Sequence, residues 1–381
     1  MSLEVIYVTR HGFRSNWLVD PSNGNYTAML RSPTGIAADP ELTAHGVEQA
    51  RELGDRLLAA DPPVERVYSS PYYRCLQTIE PFVRKAQAAH ASVEEGNRQD
   101  EEDAGPQAVR LETGLGEWFG SAPFEHPVPA APELLNRFFP TMLDEQYSPI
   151  VVPTRMGESI EELHDRVATA MDALIADCDR DGVRSVLLCS HAAVIIALGR
   201  VLTGNMPVNI EAEDFRAFTC GLTVYQRRKA ATGADTSARS TGRDAAAAST
   251  EAPLSAKAAV DNGKRETSHS AVVVAAAEVT DVAGKETIAT TDAHNADRQI
   301  KNDPPRKLVW RAGRGVSGGW DCLLDSDCAH LSGGEERGWR FSGDESFKGA
   351  DEKSNLDAGI SLGVVVEGRN KGSPGAGGPR L

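Results

Sequence analysis

Short apolar runs alternate with amphipathic segments along the first 228 residues of the chain. Three of the runs have the length and composition of buried strands: VIYV (residues 5–8), VERVYSS (64–70) and SVLLCS (185–190). Between them, two segments carry apolar residues at helical spacing: TAHGVEQARELGDRLLAAD (43–61) and SIEELHDRVATAMDALIADC (159–178). Continuous apolar strands that alternate with helices are typical of a parallel sheet covered on both faces. The pattern therefore predicts an α/β fold with three layers, α/β/α, around a mainly parallel central sheet.

The composition divides the chain into four parts: residues 1–228, 229–303, 304–347 and 348–381. The second part is rich in Ala, Thr, Ser and Asp with almost no aromatic residues, which predicts a low-complexity, disordered insertion. The third part is rich in Gly and aromatic residues, and we expect it to be a small β-rich extension that packs on the first part. The last part is expected to be a mostly disordered tail with one candidate strand, ISLGVVV (360–366). The acidic stretch at 94–106 is expected to be a mobile surface loop.

The pairing of the C-terminal extension is predicted from its apolar runs. LVW (308–310) and GWRF (338–341) have the composition of short strands. We expect LTVYQRR (222–228) to form a hairpin with KLVWRA (307–312), with the low-complexity segment as its oversized loop.

Charge and cysteine usage narrow the classes of function. The 381 residues carry a formal net charge of −15, and the field of such a chain repels nucleic-acid phosphates. The six scattered cysteines are typical of reduced thiols rather than of a disulfide framework. The N-terminus shows no basic region or cleavage site, and no apolar run is long enough to span a bilayer. We therefore expect a soluble protein of the cytoplasm, the nucleus or both, with no direct contact to nucleic acid or membrane.

Four stretches place polar side chains where predicted strands end, which is where an open parallel sheet forms its binding crevice. They are Arg10-His11-Gly12 with Arg14, then YSSPYYRCLQT (68–78) with Arg74, then ETGLGEW (112–118), and finally His191 after SVLLCS. In the second stretch, Ser70 is expected to cap a helix that has Pro71 at its first position.

This set of side chains predicts phosphate chemistry. Arginine forks and helix N-termini fit a tetrahedral phosphate. A histidine held among arginines stays neutral because their field lowers its pKa, and its ring nitrogen can attack phosphorus. A nearby carboxylic acid is then needed to protonate the leaving oxygen.

Five ordered motifs carry a resemblance to a known family: RHG, LTAHGVEQA, YSSPYYRCLQT, GESIEELHDRV and CSHAAVIIAL. Over residues 4–228 the chain resembles the histidine phosphatase (phosphoglycerate mutase-like) superfamily. The resemblance implies a phosphoglycerate mutase-like fold and hydrolysis of phosphate monoesters through a phosphohistidine, without cofactor or metal. It also implies a phosphorylated small molecule or phosphoprotein as the substrate.

The resemblance assigns a role to each candidate site residue. His11 is the expected nucleophile, and Arg10, Arg74 and His191 are expected to bind the transferred phosphoryl group. Arg14 lies where some family members place a further phosphate ligand. The family's acid belongs to a pattern that Glu112-Thr-Gly-Leu-Gly-Glu117-Trp-Phe-Gly matches, with Glu112 the preferred acid and Glu117 the reserve.

Two departures from the family pattern leave alternatives open. Phe13 stands where many mutases have an acidic residue, and Asn16-Trp17 replaces the order Trp-Asn. These features disfavour a mutase and resemble a fungal branch that includes a subunit of the RNA polymerase III transcription factor tau. One alternative is therefore a protein-interaction scaffold that binds other subunits of a transcription factor complex. Another is a protein that captures phosphorylated ligands without turnover.

Several residues match motifs of other chemistry, and we expect them to have structural roles. Cys178 and Arg184 have the spacing of cysteine phosphatases but lie in an acidic loop. GRGVSG (313–318) is a formal dinucleotide motif that no helix follows. Cys322, Cys328 and His330 lack a fourth zinc ligand at a usual spacing. His164 matches no such motif. It lies on the polar side of the helix predicted at 159–178, and we expect it to be solvated.

Overall fold

A computed structural model describes residues 2–94, 108–229 and 308–341. Its centre is a six-stranded sheet with the order β5-β4-β6-β1-β7-β8, next to a two-stranded hairpin, β2–β3. The strands are β1 (Val5–Arg10), β2 (Trp17–Asp20), β3 (Asn25–Ala28), β4 (Arg66–Ser69), β5 (Val109–Leu111), β6 (Ser185–Ser190), β7 (Leu222–Arg227) and β8 (Trp320–Asp327). The helices are α1 (Ala44–Leu58), α2 (Tyr73–Glu94), α3 (Pro132–Phe138), α4 (Ile160–Asp181) and α5 (Ala192–Thr203), with 3-10 turns at Thr113–Leu115 and Val316–Gly318.

The four strands β5, β4, β6 and β1 are parallel, whereas β7 and β8 are antiparallel to their neighbours. Their register aligns the carboxyl ends: Arg10 lies opposite Ser190, and Ser69 lies opposite both Cys189 and Leu111. The residues that follow these strands therefore meet at one edge of the sheet.

Alternation along β1 explains the three layers. Val5 and Tyr7 face a core formed with α1 and α2, whereas Ile6 and Val8 face a second core formed with α4 and α5. Every residue of β1 and β6 is buried, as expected for central strands of a sheet covered on both faces. The predicted three-layer α/β/α fold with a mainly parallel sheet is confirmed.

The C-terminal segment 308–341 completes both cores. Trp310, Trp320 and Phe341 join the core on the α4–α5 side, and Cys328 and Leu331 join the core on the α1–α2 side. The predicted hairpin is wrong in its partner, because β7 pairs with Trp320–Asp327 and not with residues 307–312. LVW and GWRF form no strand. A turn follows directly after Trp310, and the aromatic side chains of both segments pack in the core.

The helices follow the amphipathic pattern, with two local differences. Helix α4 has the capping box of Ser159 and Glu162 that its sequence favours. Helix α2 begins at Tyr73 rather than at Pro71, and the carboxylate of Asp39 accepts a hydrogen bond from the Tyr73 N–H at 2.9 Å. Leu58 lies at helical spacing with the apolar face of α1 but is 44% exposed at the end of the helix.

The prediction that His164 is solvated is wrong. Its ring is buried and stacks on Trp310, with 6.1 Å between the ring centroids. The C-terminal segment covers this side of α4, and the sequence around His164 gives no sign of that distant packing.

Several predictions fall on other parts of the chain. The acidic loop at 94–106 (apart from its first residue), the insertion at 229–303 (apart from Lys229) and the strand ISLGVVV lie outside the described residues. Among the helices that are described, none combines the length and apolarity needed to cross a membrane.

Candidate functional site

The candidate site lies where the aligned strand ends meet. His11 follows β1, Ser70 follows β4, Glu112 follows β5 and His191 follows β6. His191 is also the residue that precedes the first turn of α5, so the N-terminus of that helix points toward the same edge. The order of the parallel strands thus brings residues from motifs far apart in the sequence together in one pocket.

The ring of His11 is buried and uncharged. Its Nδ1 lies 2.9 Å from the carbonyl oxygen of Gly12, which accepts a hydrogen bond from the Nδ1–H tautomer. That tautomer leaves the lone pair on Nε2. Burial, followed by the positive field of Arg74 and Arg10, holds the pKa of His11 well below its usual range. The imidazole is therefore uncharged at neutral pH.

His191 lies beside His11, with 5.3 Å between the ring centroids. Its Nε2 is 2.7 Å from the hydroxyl oxygen of Ser70, and its Nδ1 is 3.2 Å from the carboxylate of Glu117. Burial opposes protonation of this ring, but neighbouring Cys75 and Glu117 raise the pKa of His191 overall. The two histidines thus differ in electrostatic environment: one is kept neutral and the other has an acidic partner.

Three arginines are buried around the two rings. The Arg10 guanidinium is anchored by the carbonyl oxygen of Ala217 at 2.7 Å, and Arg14 by that of Ser15 at 2.9 Å. Arg74 donates to the carbonyl oxygen of Ala38 at 3.0 Å.

Burial, followed by the field of neighbouring arginines, lowers the pKa values of Arg10 and Arg14. Burial and the field of Arg74 lower the pKa of Arg14 to about 9, and burial lowers the pKa of Arg10 to about 10. Like charges brought together in a buried space favour the binding of an anion.

Two carboxylates hold Arg74 in the pocket. Asp39 Oδ1 is 3.2 Å from Arg74 Nη1, and Glu117 Oε2 is 2.9 Å from Arg74 Nη2. Asp39 also accepts a hydrogen bond from the backbone N–H of Tyr73, and burial raises the pKa of this acid to about 6. Three guanidiniums therefore face two carboxylates, so the pocket keeps an excess of positive charge when both acids are ionised.

The structure places Glu117 in the pocket and Glu112 outside it. The carboxylate of Glu117 and the ring nitrogens of His11 and His191 lie within 4.8 Å of one another. Glu112 is buried elsewhere: its oxygens accept hydrogen bonds from Tyr147 Oη and from the backbone N–H groups of Gly114, Ile150 and Val151, at 2.6 to 3.3 Å. The preferred acid, Glu112, thus helps to fix the loop that carries Glu117 and lies outside the histidine cluster, and the choice between the two glutamates stays a prediction.

A buried arginine that the sequence analysis did not identify positions this loop. Arg166 of α4 donates to the carbonyl oxygens of Gly114 and Gly116 at 2.8 and 3.1 Å and pairs with Glu158 at 2.8 Å. Both charged residues belong to the motif GESIEELHDRV. Glu158 precedes the N-cap of α4 and Arg166 lies eight residues further on, within the helix, so regular helical spacing did not indicate their pairing.

Two glycines of the motifs allow α1 to approach the His11 loop. A Cβ at Gly46 would lie 2.0 Å from the carbonyl oxygen of Phe13, and one at Gly12 would lie 2.8 Å from that of Gly46. The loop is further held by Thr78, whose hydroxyl accepts a hydrogen bond from the Gly12 N–H at 2.9 Å. Asp39 and Thr78 gave no separate sequence signal of a role at the site.

The ligand atoms of His11, Glu117 and His191 are also close enough to hold a metal ion. The three guanidiniums around them oppose a cation, however, because their field already lowers the pKa of His11. The donor set with its surrounding charge therefore fits an anion better than a metal.

The other motif residues lie elsewhere. Cys178 is buried in α4 near Tyr68, and His330 is bonded to the carbonyl oxygen of Cys220 at 3.1 Å. Gly315 of the dinucleotide-like motif lies against the end of α5, where a Cβ would meet the carbonyl oxygen of Leu202 at 2.1 Å.

Comparison with known proteins identifies a family model and several relatives. The model described as histidine phosphatase superfamily (branch 1) matches residues 6–235. The transcription factor tau 55 kDa subunit of Saccharomyces cerevisiae is 34% identical over 235 residues, which are 59% of this chain and 48% of that protein. An ecdysteroid-phosphate phosphatase of Drosophila melanogaster is 30% identical over 225 residues, which are 53% of this chain and 27% of that protein. The chain thus spans half or less of the length of these curated relatives.

Among solved structures, the ecdysone phosphate phosphatase of Bombyx mori in complex with tungstate is 20% identical, with a TM-score of 0.43. The alignment covers 63% of this chain and 97% of that chain.

Proposed function

The chain belongs to the histidine phosphatase superfamily, and from this membership and the geometry of its pocket we propose that it hydrolyses phosphate monoesters through a phosphohistidine on His11. The observation that carries the proposal is the neutral, buried ring of His11 among three arginines, two of which have lowered pKa values. This arrangement provides a nucleophile and an anion site in the same space. The substrate is a phosphorylated small molecule or phosphoprotein.

The first step forms a bond between His11 Nε2 and phosphorus while the bond from phosphorus to the leaving oxygen breaks. Arg10, Arg14, Arg74 and His191 bind the phosphoryl oxygens, whose charge they share in the transition state. Glu117 gives its proton to the leaving oxygen. In the second step water attacks phosphorus, the phosphorus–nitrogen bond breaks, and the water proton returns to Glu117.

The proton on Glu117 arrives with the substrate. Burial favours the protonated acid, but neighbouring His191 and Arg74 outweigh burial and hold the pKa of Glu117 far below its usual range in the empty pocket. A bound phosphate dianion cancels the field of the arginines and so raises the pKa of this carboxyl. A phosphate monoester with a second pKa of about 6 also enters partly as the monoanion, which carries the required proton.

The test is to trap the phosphoenzyme. We expect the wild-type protein to hydrolyse an aryl phosphate in the presence of a metal chelator. With a labelled substrate, acid quenching under brief, cold conditions or alkaline quenching should show a phosphoenzyme that is stable in alkali and labile in acid. His11→Ala should lose both properties but still bind inorganic phosphate, because the arginines remain, and phosphate binding then serves as the control for folding. Equal inertness of both proteins toward several phosphomonoesters would overturn the catalytic proposal.

A second candidate function rests on the yeast relative. The name of that relative assigns it to transcription factor tau, and 34% identity over 235 residues favours a shared role in assembly. In this function the domain is a scaffold in the nucleus that binds other subunits of a transcription factor complex, with the pocket retained.

Affinity purification of the full chain from nuclear extract tests the scaffold. We expect subunits of an RNA polymerase III transcription factor to co-purify with wild type and with His11→Ala alike. Recovery of none of them would count against this second function.

A further inference from the structure

Arg337 lies at the rim of the phosphate pocket although it comes from the distant C-terminal segment. Its guanidinium carbon is 4.0 Å from the centre of the Phe13 ring, two residues after His11, and its Nη1 is 3.2 Å from Asn16 Oδ1. The side chain is exposed to solvent. Its backbone carbonyl accepts a hydrogen bond from the Arg10 guanidinium, so the residue is attached directly to the pocket wall.

The segment around Arg337 is fixed rather than loosely placed. The backbone N–H of Thr219 donates to the carbonyl of Glu336 at 3.1 Å, and Trp339 is buried in the core two residues further on. The Glu336 carboxylate binds His45 at 2.6 Å and Gln49 at 2.8 Å. This acid is therefore held by α1 and does not cover the Arg337 guanidinium.

The Arg337 guanidinium feels the field of Glu336 but is not paired with it. Among the described residues, no carboxylate lies within ion-pair distance of its guanidinium. Phe13 covers one face of the planar group, whereas an acidic residue at position 13 would pair with it. Arg337 also contributes to the lowered pKa of both Arg10 and Arg14, so its field reaches the phosphate site.

We propose that Phe13, Asn16 and Arg337 form a substrate subsite next to the phosphate pocket, and that this subsite binds a second anionic group on the substrate. The inference rests on the proposed phosphatase function and names its substrate class: phosphomonoesters that carry a carboxylate or another anion besides the ester phosphate. The exposed edge of the guanidinium donates to that anion, while Phe13 and Asn16 hold the side chain in place.

The test compares matched pairs of esters. Phenyl phosphates with a carboxylate at the 2, 3 or 4 position are each paired with the corresponding carboxamide, which has the same shape without the charge. We expect at least one carboxylate to have a lower KM than its carboxamide. Arg337→Gln should reduce that preference by about fivefold, the size of one solvent-exposed charge interaction. Arg337→Lys should keep part of the preference.

Arg340→Gln is the matched control, because Arg340 is an exposed arginine three residues away that pairs with Glu213. It should leave the preference at the wild-type value. Arg337→Gln retains the backbone carbonyl that Arg10 uses, and an unchanged melting temperature confirms its fold. Equal loss for carboxylate and carboxamide would show that Arg337 acts through Arg10 instead, and the absence of any preference in wild type would also overturn the subsite.

Failure of the phosphatase proposal can be told apart from failure of the subsite. If no ester is hydrolysed, isothermal titration with the same pairs measures binding instead of turnover. A carboxylate preference that Arg337→Gln removes would then retain the subsite without catalysis. No difference in binding within any pair would overturn it.

Discussion

Arg74 is the residue on which the charges of the pocket converge. Its guanidinium forms ion pairs with Asp39 and Glu117 and lies 3.2 Å from Nδ1 of His191. Burial and the field of Arg74 also keep His11 neutral. The sequence predicted Arg10, His11, Arg14, Arg74 and His191, because each lies in a motif at a strand end. It favoured Glu112 as the acid, whereas Glu117, on the same short loop, is the glutamate that lies beside the two histidines. That placement depends on Tyr147, Ile150 and Val151, which come from a distant segment and bind the Glu112 carboxylate.

The two glutamates are expected to respond differently to amide substitution. Glu117→Gln should lower kcat for alkyl phosphates by ~10²–10⁴-fold, the size of a lost general acid, and lower it much less for 4-nitrophenyl phosphate, whose leaving group needs no proton. Glu112→Gln should instead cost ~1–3 kcal/mol of unfolding free energy, because its amide N–H₂ meets donors that now bind the carboxylate. Steady-state kinetics and urea unfolding measure the two effects. A larger kinetic loss in Glu112→Gln would reverse the assignment.

The pH dependence of turnover follows from the same charges. Because the pKa of His11 is held well below its usual range, protonation of the nucleophile should not reduce kcat/KM between pH 7 and about 6, where an ordinary histidine titrates. Because the proton for the leaving oxygen enters with the substrate monoanion, whose second pKa is about 6, kcat/KM for alkyl phosphates should fall as the pH rises from about 6 to 8. A pH–rate profile measures both limbs. Loss of activity on acidification centred near the usual histidine pKa would contradict the neutral nucleophile.

At the scale of elements, helix α1 and the loop after β1 are built to approach each other closely. Gly46 of α1 faces the backbone of Phe13, and Thr43 caps the helix by accepting a hydrogen bond from the Gly46 N–H at 3.2 Å. The sequence predicted α1, α4 and three of the four parallel strands, β1, β4 and β6, since their apolar residues form regular patterns. It did not predict β8, whose residues include Asp321, Asp325 and Asp327, because a strand at the sheet edge is covered on one side only and lacks a continuous apolar run.

Two glycines of α1 provide a matched pair for this close approach. Gly46→Ala should destabilise the protein by ~1–3 kcal/mol and reduce turnover, since its Cβ would lie 2.0 Å from a backbone oxygen of the His11 loop. Gly54→Ala, in the same helix, meets its nearest backbone atom at 3.1 Å and gains helix propensity, so its net change should stay within about 1 kcal/mol. Urea unfolding and kcat for an aryl phosphate measure the effects. Equal behaviour of both variants would contradict the requirement for glycine at position 46.

At the scale of the whole molecule, the C-terminal segment 308–341 belongs to both the core and the site. It supplies β8, buries Trp310, Trp320 and Phe341 against α4 and α5, and provides the carbonyl of residue 337 that anchors Arg10. The sequence predicted that this segment packs on the first part of the chain. It could not predict the pairing of β8 with β7 or the contact with Arg10, because both depend on chain segments more than 90 residues apart.

Removal of this segment should therefore abolish folding and activity together. A chain that ends after residue 307 loses the partner of β7 and four large buried aromatic side chains, each of which contributes several kcal/mol when buried in a core. We expect it to lack a cooperative unfolding transition by near-UV circular dichroism and to hydrolyse no aryl phosphate. A chain that ends after residue 341 is the control that isolates the segment, and it should retain both properties. If the shorter chain unfolds cooperatively near the wild-type midpoint, the segment is an accessory to the domain and Arg10 is held without it.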